Sequence, residues 1–199
     1  MNIFYLSPDP KVCAQMHLDK HVVKMILEYA QLLSTAHRVI DGVETQGLSQ
    51  TGRKVKRWII ERGTNIQERN SVLYTATHIN HPSAKWARHT GHNYYWLYCL
   101  LYELCKEYTH RYGKTHVVET KLLPTLALIP DGLENGEFTP PWRAMPDEYK
   151  VGDDSMASYR NYYVGAKARM AKWTKREIPE WFTSMLHSKS NTGETHAHV

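Results

Sequence analysis

Asp19-Lys20-His21-Val22-Val23-Lys24-Met25-Ile26-Leu27-Glu28 is the stretch on which the reading of this chain turns. It sits inside a helical pattern from about Pro10 to His37, in which Val12, Met16, Val23, Ile26, Leu27, Ala30 and Leu33 recur at helical spacing. His17, His21, Lys24, Glu28 and Gln31 fall three or four residues apart on a separate face. A solvated face ordinarily carries long charged side chains, not two histidines and a glutamate beside an apolar stripe. Imidazole and carboxylate are the groups that move protons near neutral pH, so this face reads as the floor of an active site. The plainer alternatives are a half-buried histidine pair bonded to its neighbours and a Lys24–Glu28 ion pair along one helix.

Working outward, Asp9 caps a helix that starts at Pro10, and Thr45–Gly52 is a polar loop. A second helix is expected over Arg53–Glu61, and Asn70 is expected to cap another over Ser71–Ile79, stopped by His81-Pro82. Ser83 begins a short turn broken at Gly91, and a long helix runs from Asn93 to Tyr112 and ends at Gly113. Lys121–Leu128 supplies a turn or two, Ile129–Asp153 a long ordered loop, Ser155–Trp173 a last major helix and Pro179–Leu186 a short one. With no competing strand pattern, the expected class is mainly α: a single compact helical domain over 1–186 with long ordered loops, then a mobile tail over 187–199.

The 199 residues carry a net charge of +5 and a pI near 9.0, which suggests a polyanionic partner. Arg53, Lys54, Lys56 and Arg57 form one basic cluster. Arg160, Lys167, Arg169, Lys172, Lys175 and Arg176 form another, interleaved with Tyr159, Tyr162, Tyr163, Trp173 and Trp181. Cations for phosphates beside aromatic faces for bases are what single-strand or flipped-base binding needs. The competing account is a basic amphipathic helix whose aromatics are core. No apolar run is long enough to span a bilayer, the N-terminus lacks a signal-peptide pattern, and Cys13, Cys99 and Cys105 lack metal spacing. A soluble protein of a reducing cytoplasm, without membrane contact, is therefore expected; a monomer is the default where the sequence leaves the oligomeric state open, and no cofactor is expected. His17/His21 have the spacing of a helical zinc pair, with His78/His81 and His89/His92 also close, but no HExxH is present and no metal is expected.

Three islands together resemble the phage pyrimidine-dimer DNA glycosylases of the T4 endonuclease V type. Asp19, His21 and Glu28 are similar to that family's active helix. Gly91-His92 before Tyr94-Tyr95-Trp96-Leu97-Tyr98 resembles its Gly-His ahead of the central helix, and Tyr159–Lys167 resembles its aromatic C-terminal motif. The resemblance covers about a quarter of the chain. It implies a compact helical enzyme, found in phage-infected bacteria, that binds double-stranded DNA and excises a damaged or modified pyrimidine. An N-terminal amine, on Met1 or on Asn2 after processing, would attack the sugar C1′ and form an imine. Glu28 would serve the proton transfers of ring opening and strand cleavage, with His21 close to the sugar. His17, Lys24, Arg88, His92, Tyr159, Arg160, Tyr162, Tyr163 and Lys167 would contact the DNA. An α-amine is less basic than a lysine, so a useful fraction is a neutral nucleophile near pH 7. Two departures stand out: Asn2 is bulkier than Met removal favours, and Leu27 and Gln31 occupy the family's arginine positions. A related helical enzyme that modifies a base or nucleotide, a histidine-based metal hydrolase and a non-enzymatic DNA-binding protein are the competing functions.

Overall fold

The structure, a computed structural model, describes the backbone from Met1 to Gly193 and side chains to Lys189. It is compact and mainly helical. Two long helices form its axis: α2 (Asp19–Asp41) and α5 (Gly91–Tyr112). They run antiparallel, because Arg111 late in α5 donates to Asp19 at 2.9 Å, whereas His37 late in α2 bonds Tyr94 early in α5 at 2.7 Å. Val22, Met25, Ile26, Tyr29, Leu32 and Leu33 of α2 are buried, as are Tyr94, Leu97, Leu101 and Leu104 of α5. Both sets follow helical periodicity, and each fully buried aliphatic chain contributes about 1.5–3 kcal/mol. Gly113, at φ +67°, ends α5 in a conformation that glycine adopts without strain.

The expected first helix is two helices. α1 (Pro10–Met16) starts with Asp9 as its cap and stops at His17, whose backbone is extended; α2 begins at Asp19. Asp19 anchors that start, accepting bonds from Arg111, from the Thr174 amide at 2.9 Å and from the Thr174 hydroxyl at 2.7 Å. Burial works to raise its pKa, but these bonds prevail and hold it below the usual carboxylate value.

The expected helix over Arg53–Glu61 is a strand. β1 (Gly42–Leu48) and β2 (Lys54–Ile60) form an antiparallel hairpin in which Gly42 faces Ile60 and Leu48 faces Lys54. Gly52 turns the chain at φ +76°, and β-branched Val55, Ile59 and Ile60 suit a strand. The helix expected over Ser71–Ile79 is also absent. α3 spans Ile66–Val72 behind Asn65, and Asn70 instead brackets Ile60 through its amide, at 3.0 and 2.8 Å. Beyond Val72 the carbonyls of Leu73 and Tyr74 turn to the Arg38 guanidinium, which removes the acceptors a continuing helix would use.

His81 opens a helix where a stop was expected: its side chain accepts from Ser83 N at 3.1 Å and caps α4 (Pro82–Ala87), with Pro82 at the first position. α6 (Val117–Lys121) and α7 (Leu123–Leu126) follow α5. The long connection to residue 154 holds one short 3₁₀ turn, Asp147–Tyr149, and Asp131 and Thr139 bond it to Arg69 and Asn93. The last major helix is shorter than expected: α8 (Ser155–Tyr162) passes into a π turn, Tyr163–Lys167, and a 3₁₀ turn, Ala168–Met170. α9 (Glu180–Gly193) runs past His187, so the mobile tail expected there is helix as far as residue 193. The rest of that expectation lies outside the described residues. Among the described residues no helix is long and apolar enough to cross a membrane.

Candidate functional site

His21 is where two of the three motif islands meet. Its Nδ1 lies 2.7 Å from the Tyr163 hydroxyl, so the α2 motif and the C-terminal aromatic motif touch directly. Phe4 stacks on the imidazole with ring centroids 4.2 Å apart, and the Tyr162 ring lies parallel to Phe4 at 6.3 Å. Lys167 sits 4.7 Å over the Tyr162 ring. Burial, then the charges of His17, Lys167 and Lys24, push the His21 pKa down to about 2. This ring is therefore neutral at any working pH: it can position groups and share a hydrogen bond, but imidazolium chemistry is closed to it.

Two turns along α2, Glu28 pairs with Lys24 at 3.3 Å; the carboxylate side chain is 16% exposed and Lys24 is largely in solvent. Exposed Val23 and Leu27 lie beside them on the same outer face. The first residues of the chain pack against Ser83 and the buried side of α2. Ser83 Oγ donates to the Met1 carbonyl at 3.4 Å, and Tyr29 Oη accepts from Phe4 N at 3.1 Å. Segment 77–83 runs back beside α2, pinned where Thr77 N donates to Thr35 Oγ1 at 3.2 Å. It carries His78 and His81. Burial lowers the His81 pKa first; the Met1 ammonium and His78 lower it further, and Glu28 opposes them. His81 thus lies within electrostatic reach of the α-amine, of Glu28 and of His78. Asn2 Oδ1, next to the amine, is buried with no hydrogen-bond partner, an exception in a folded chain.

Comparisons with protein-family models, with curated proteins and with solved structures return no match. The site therefore rests on its own geometry.

That geometry separates the expected contact residues. Lys24 reaches the surface beside Glu28, and Tyr162 and Lys167 lie half-buried on the Phe4 side of His21. His17 does not: it is fully buried, with Nδ1 2.8 Å from the Cys13 carbonyl and Nε2 3.1 Å from Tyr29 Oη. Burial lowers its pKa to about 4. The break after α1 turned it inward, which also ends its role as the partner of a helical zinc pair. Tyr159 and Tyr163 are core side chains, Tyr159 donating to the Trp142 carbonyl at 2.9 Å, so neither presents a face for a base. Arg160 donates to the Leu6 carbonyl at 3.1 and 2.8 Å and lies over Trp181; Arg88 donates to the Ala84 and Ile79 carbonyls. Both clamp backbone and hold little capacity for phosphate.

His92 is exposed, bonded to the Gly136 carbonyl, at the start of α5. Because α5 is antiparallel to α2, that places it toward the far end of α2 from His21, on the order of 20 Å away at 1.5 Å per residue. The Gly91-His92 island does not join the other two. The two basic clusters also lie apart: Thr174 meets the first residue of α2, whereas the hairpin leaves its last, about 34 Å further on. Among the described residues no three His, Cys, Asp or Glu side chains group as a metal site would require. Sequence reading passed over Phe4 and took His81 for a helix stop. The signal for His81 was His-Pro-Ser ahead of a helical run, a capping pattern.

Proposed function

We propose that this protein is a DNA glycosylase with AP-lyase activity on a damaged or modified pyrimidine. The observation that carries the reading is one face of α2 that holds Glu28, paired with Lys24, two turns from His21, which Phe4 and Tyr163 fix in place; His81 lies within electrostatic reach of both Glu28 and the N-terminal ammonium. The amine lone pair bonds to C1′ as the glycosidic bond breaks, and the base leaves with the bonding pair and takes up a proton. Ring opening then gives an iminium while O4′ is protonated. Loss of a C2′ proton expels the 3′ phosphate by β-elimination. Glu28 is the group that supplies and removes these protons, and Lys24 and Lys167 face the phosphates. Neutral His21 holds the Phe4 and Tyr163 side of the site in place.

The test is Glu28→Gln, which keeps size and hydrogen bonding but cannot transfer a proton. Cleavage of duplex DNA with an abasic site should fall about 10²–10⁴-fold with fold and DNA binding retained. Lys24→Gln should weaken DNA binding but keep the cleavage rate of bound DNA. Extending the chain ahead of Met1 should abolish the covalent adduct that borohydride traps between the parent and abasic DNA. If the parent gives no adduct, the imine mechanism is wrong.

A second reading, a related helical enzyme that modifies a base or nucleotide, draws on one observation. Leu27 and Gln31 stand on the outer stretch of α2, and the arginines expected nearby, Arg88 and Arg160, are bonded to backbone. The site's open cations are lysines, which hold phosphate as point charges and not with a bidentate fork. The metal-hydrolase reading loses its ligands: both His17 nitrogens are engaged in the core.

A further inference from the structure

The β1–β2 hairpin is not part of the site above, and little of it packs on the body. Val43, Glu44, Gln46, Leu48, Lys54, Lys56 and Ile59 are exposed; of the fourteen strand residues only Ile60 is buried. A two-stranded ribbon of this kind is at best marginally stable in water. Here its base is fixed: Arg38 Nη1 donates to the Trp58 carbonyl at 3.0 Å, and the Asn70 amide brackets Ile60. The fold thus holds the root of the ribbon rigidly and leaves its outer half in solvent.

That outer half is cationic on both faces. Strand side chains alternate, so Lys54 and Lys56 project to one face, beside Leu48 and Gln46, while Arg57 projects to the other, beside Thr45. Arg53 stands at the turn, and the Arg57 side chain lies across Gly47, whose missing Cβ makes the room. Between 42 and 60 there is one carboxylate, Glu44, which pairs with Lys56 at 2.8 Å. A flat anionic surface, such as a lipid bilayer, would be met by one cationic face. A groove walled by phosphates on two sides calls for cations on both. The major groove of B-form DNA is about 12 Å wide and admits a two-stranded β-ribbon. Seven paired residues give a ribbon roughly 23 Å long.

We propose that this hairpin is a DNA-binding ribbon that enters the major groove of duplex DNA, with Lys54 and Lys56 toward one phosphate wall and Arg53 and Arg57 toward the other. The choice of DNA among polyanions rests on the glycosylase reading; the two-faced charge and the rigid root do not. The ribbon starts about 20 Å along α2 from Glu28, so it grips duplex away from the reacting sugar and sets where the enzyme sits.

The experiment uses the full chain and an undamaged 24-base-pair duplex, with binding followed by fluorescence anisotropy over a salt series. Each phosphate contact contributes about 0.9 to the slope of log K against log salt. Replacing Arg53, Lys54, Lys56 and Arg57 together by Gln should flatten that slope by about 2–4 and weaken binding at least tenfold at low salt, with the melting curve unchanged. Glu44→Gln, which releases Lys56, should tighten binding several-fold. A fourfold variant that binds with the parent's slope and affinity overturns the proposal, and so does a parent that binds no duplex. Equal loss of binding to anionic lipid vesicles and to duplex would overturn the assignment to a groove. Borohydride trapping on abasic DNA is scored separately. A lost adduct with ribbon-dependent binding defeats the glycosylase reading alone; an adduct with ribbon-independent binding defeats the ribbon alone.

Discussion

Helix α2 carries two histidine–tyrosine pairs of the same length, and they do different things. His21 meets Tyr163 at 2.7 Å near one end, and His37 meets Tyr94 at 2.7 Å near the other. His37 is locked on both nitrogens. Arg69 donates to its Nδ1 at 2.9 Å, so the proton lies on Nε2, which donates to Tyr94, which donates in turn to the Leu126 carbonyl at 2.9 Å. Arg69, 1% exposed, also binds Asp41, and at 2.9 Å Asp131, which ties α3 and the long loop to the end of α2. His21 has a phenol on one nitrogen and Phe4 on its face, and it borders the open surface that carries Lys24 and Lys167. One bond geometry thus serves a closed structural network in one place and the wall of a site in the other. What differs is the neighbours, not the pair.

Acid should blur the comparison most. Burial, first among the causes, lowers the pKa of His17 to about 4, of His21 to about 2 and of His37 to about 3. In the unfolded chain these rings titrate near 6.5, so between about pH 6.5 and 4 the unfolded state binds more protons than the folded one. Stability is then complete above the unfolded pKa and is lost as pH falls, at about 1.4 kcal/mol per pH unit for each ring and roughly 4 for the three. Urea unfolding from pH 7 to pH 4.5 should show this slope. His17→Gln and His37→Gln should each reduce it by about one proton. A stability flat across that window would mean that the rings are not held neutral.

Arg69→Met separates the two ends. It leaves Asp41 buried without its counter-charge, and should cost about 3–5 kcal/mol in urea unfolding. Under conditions where the variant is still folded, abasic-site cleavage per folded molecule should be unchanged. Lost cleavage in the folded variant would make the His37 network part of the site.

The smallest effects come from removing each phenol oxygen. Tyr94→Phe strands both the His37 N–H and the Leu126 carbonyl, and should cost about 1–3 kcal/mol. Tyr163→Phe removes the single bond to His21, about 0.5–1.5 kcal/mol, but should lower cleavage by more than that destabilisation explains. Equal stability losses with equal cleavage would erase the distinction.

Much of the helical frame was legible in the sequence. Apolar spacing marked α2, Asp9-Pro10 marked the start of α1, and Gly113 marked the end of α5, because period, caps and terminators act within a few residues. Basic residues could be counted but not assigned. Arg53–Arg57 and Arg160–Arg176 read alike, yet one set stands on an exposed hairpin. In the other, Arg160 is bonded to Leu6 and Arg176 to Glu107. A guanidinium turns to whichever carbonyls and carboxylates the fold brings near, and those lie far off in sequence.

The same divide runs through the candidate site. Residue order alone fixed the α2 motif, with Lys24 and Glu28 one turn apart on a helix face, since a helix sets that spacing by itself. Tertiary structure decided which histidine would face the site. His17 and His21 are four residues apart, but the helix is interrupted between them, and packing against Cys13 and Tyr29 took the first into the core. Tertiary structure also brought His81 within electrostatic reach of both Met1 and Glu28, across 80 and 53 residues of chain. No local rule encodes such a meeting. It follows from how α2, α4 and the N-terminal segment bury their apolar sides together, and the polar groups left at that seam make up the candidate site.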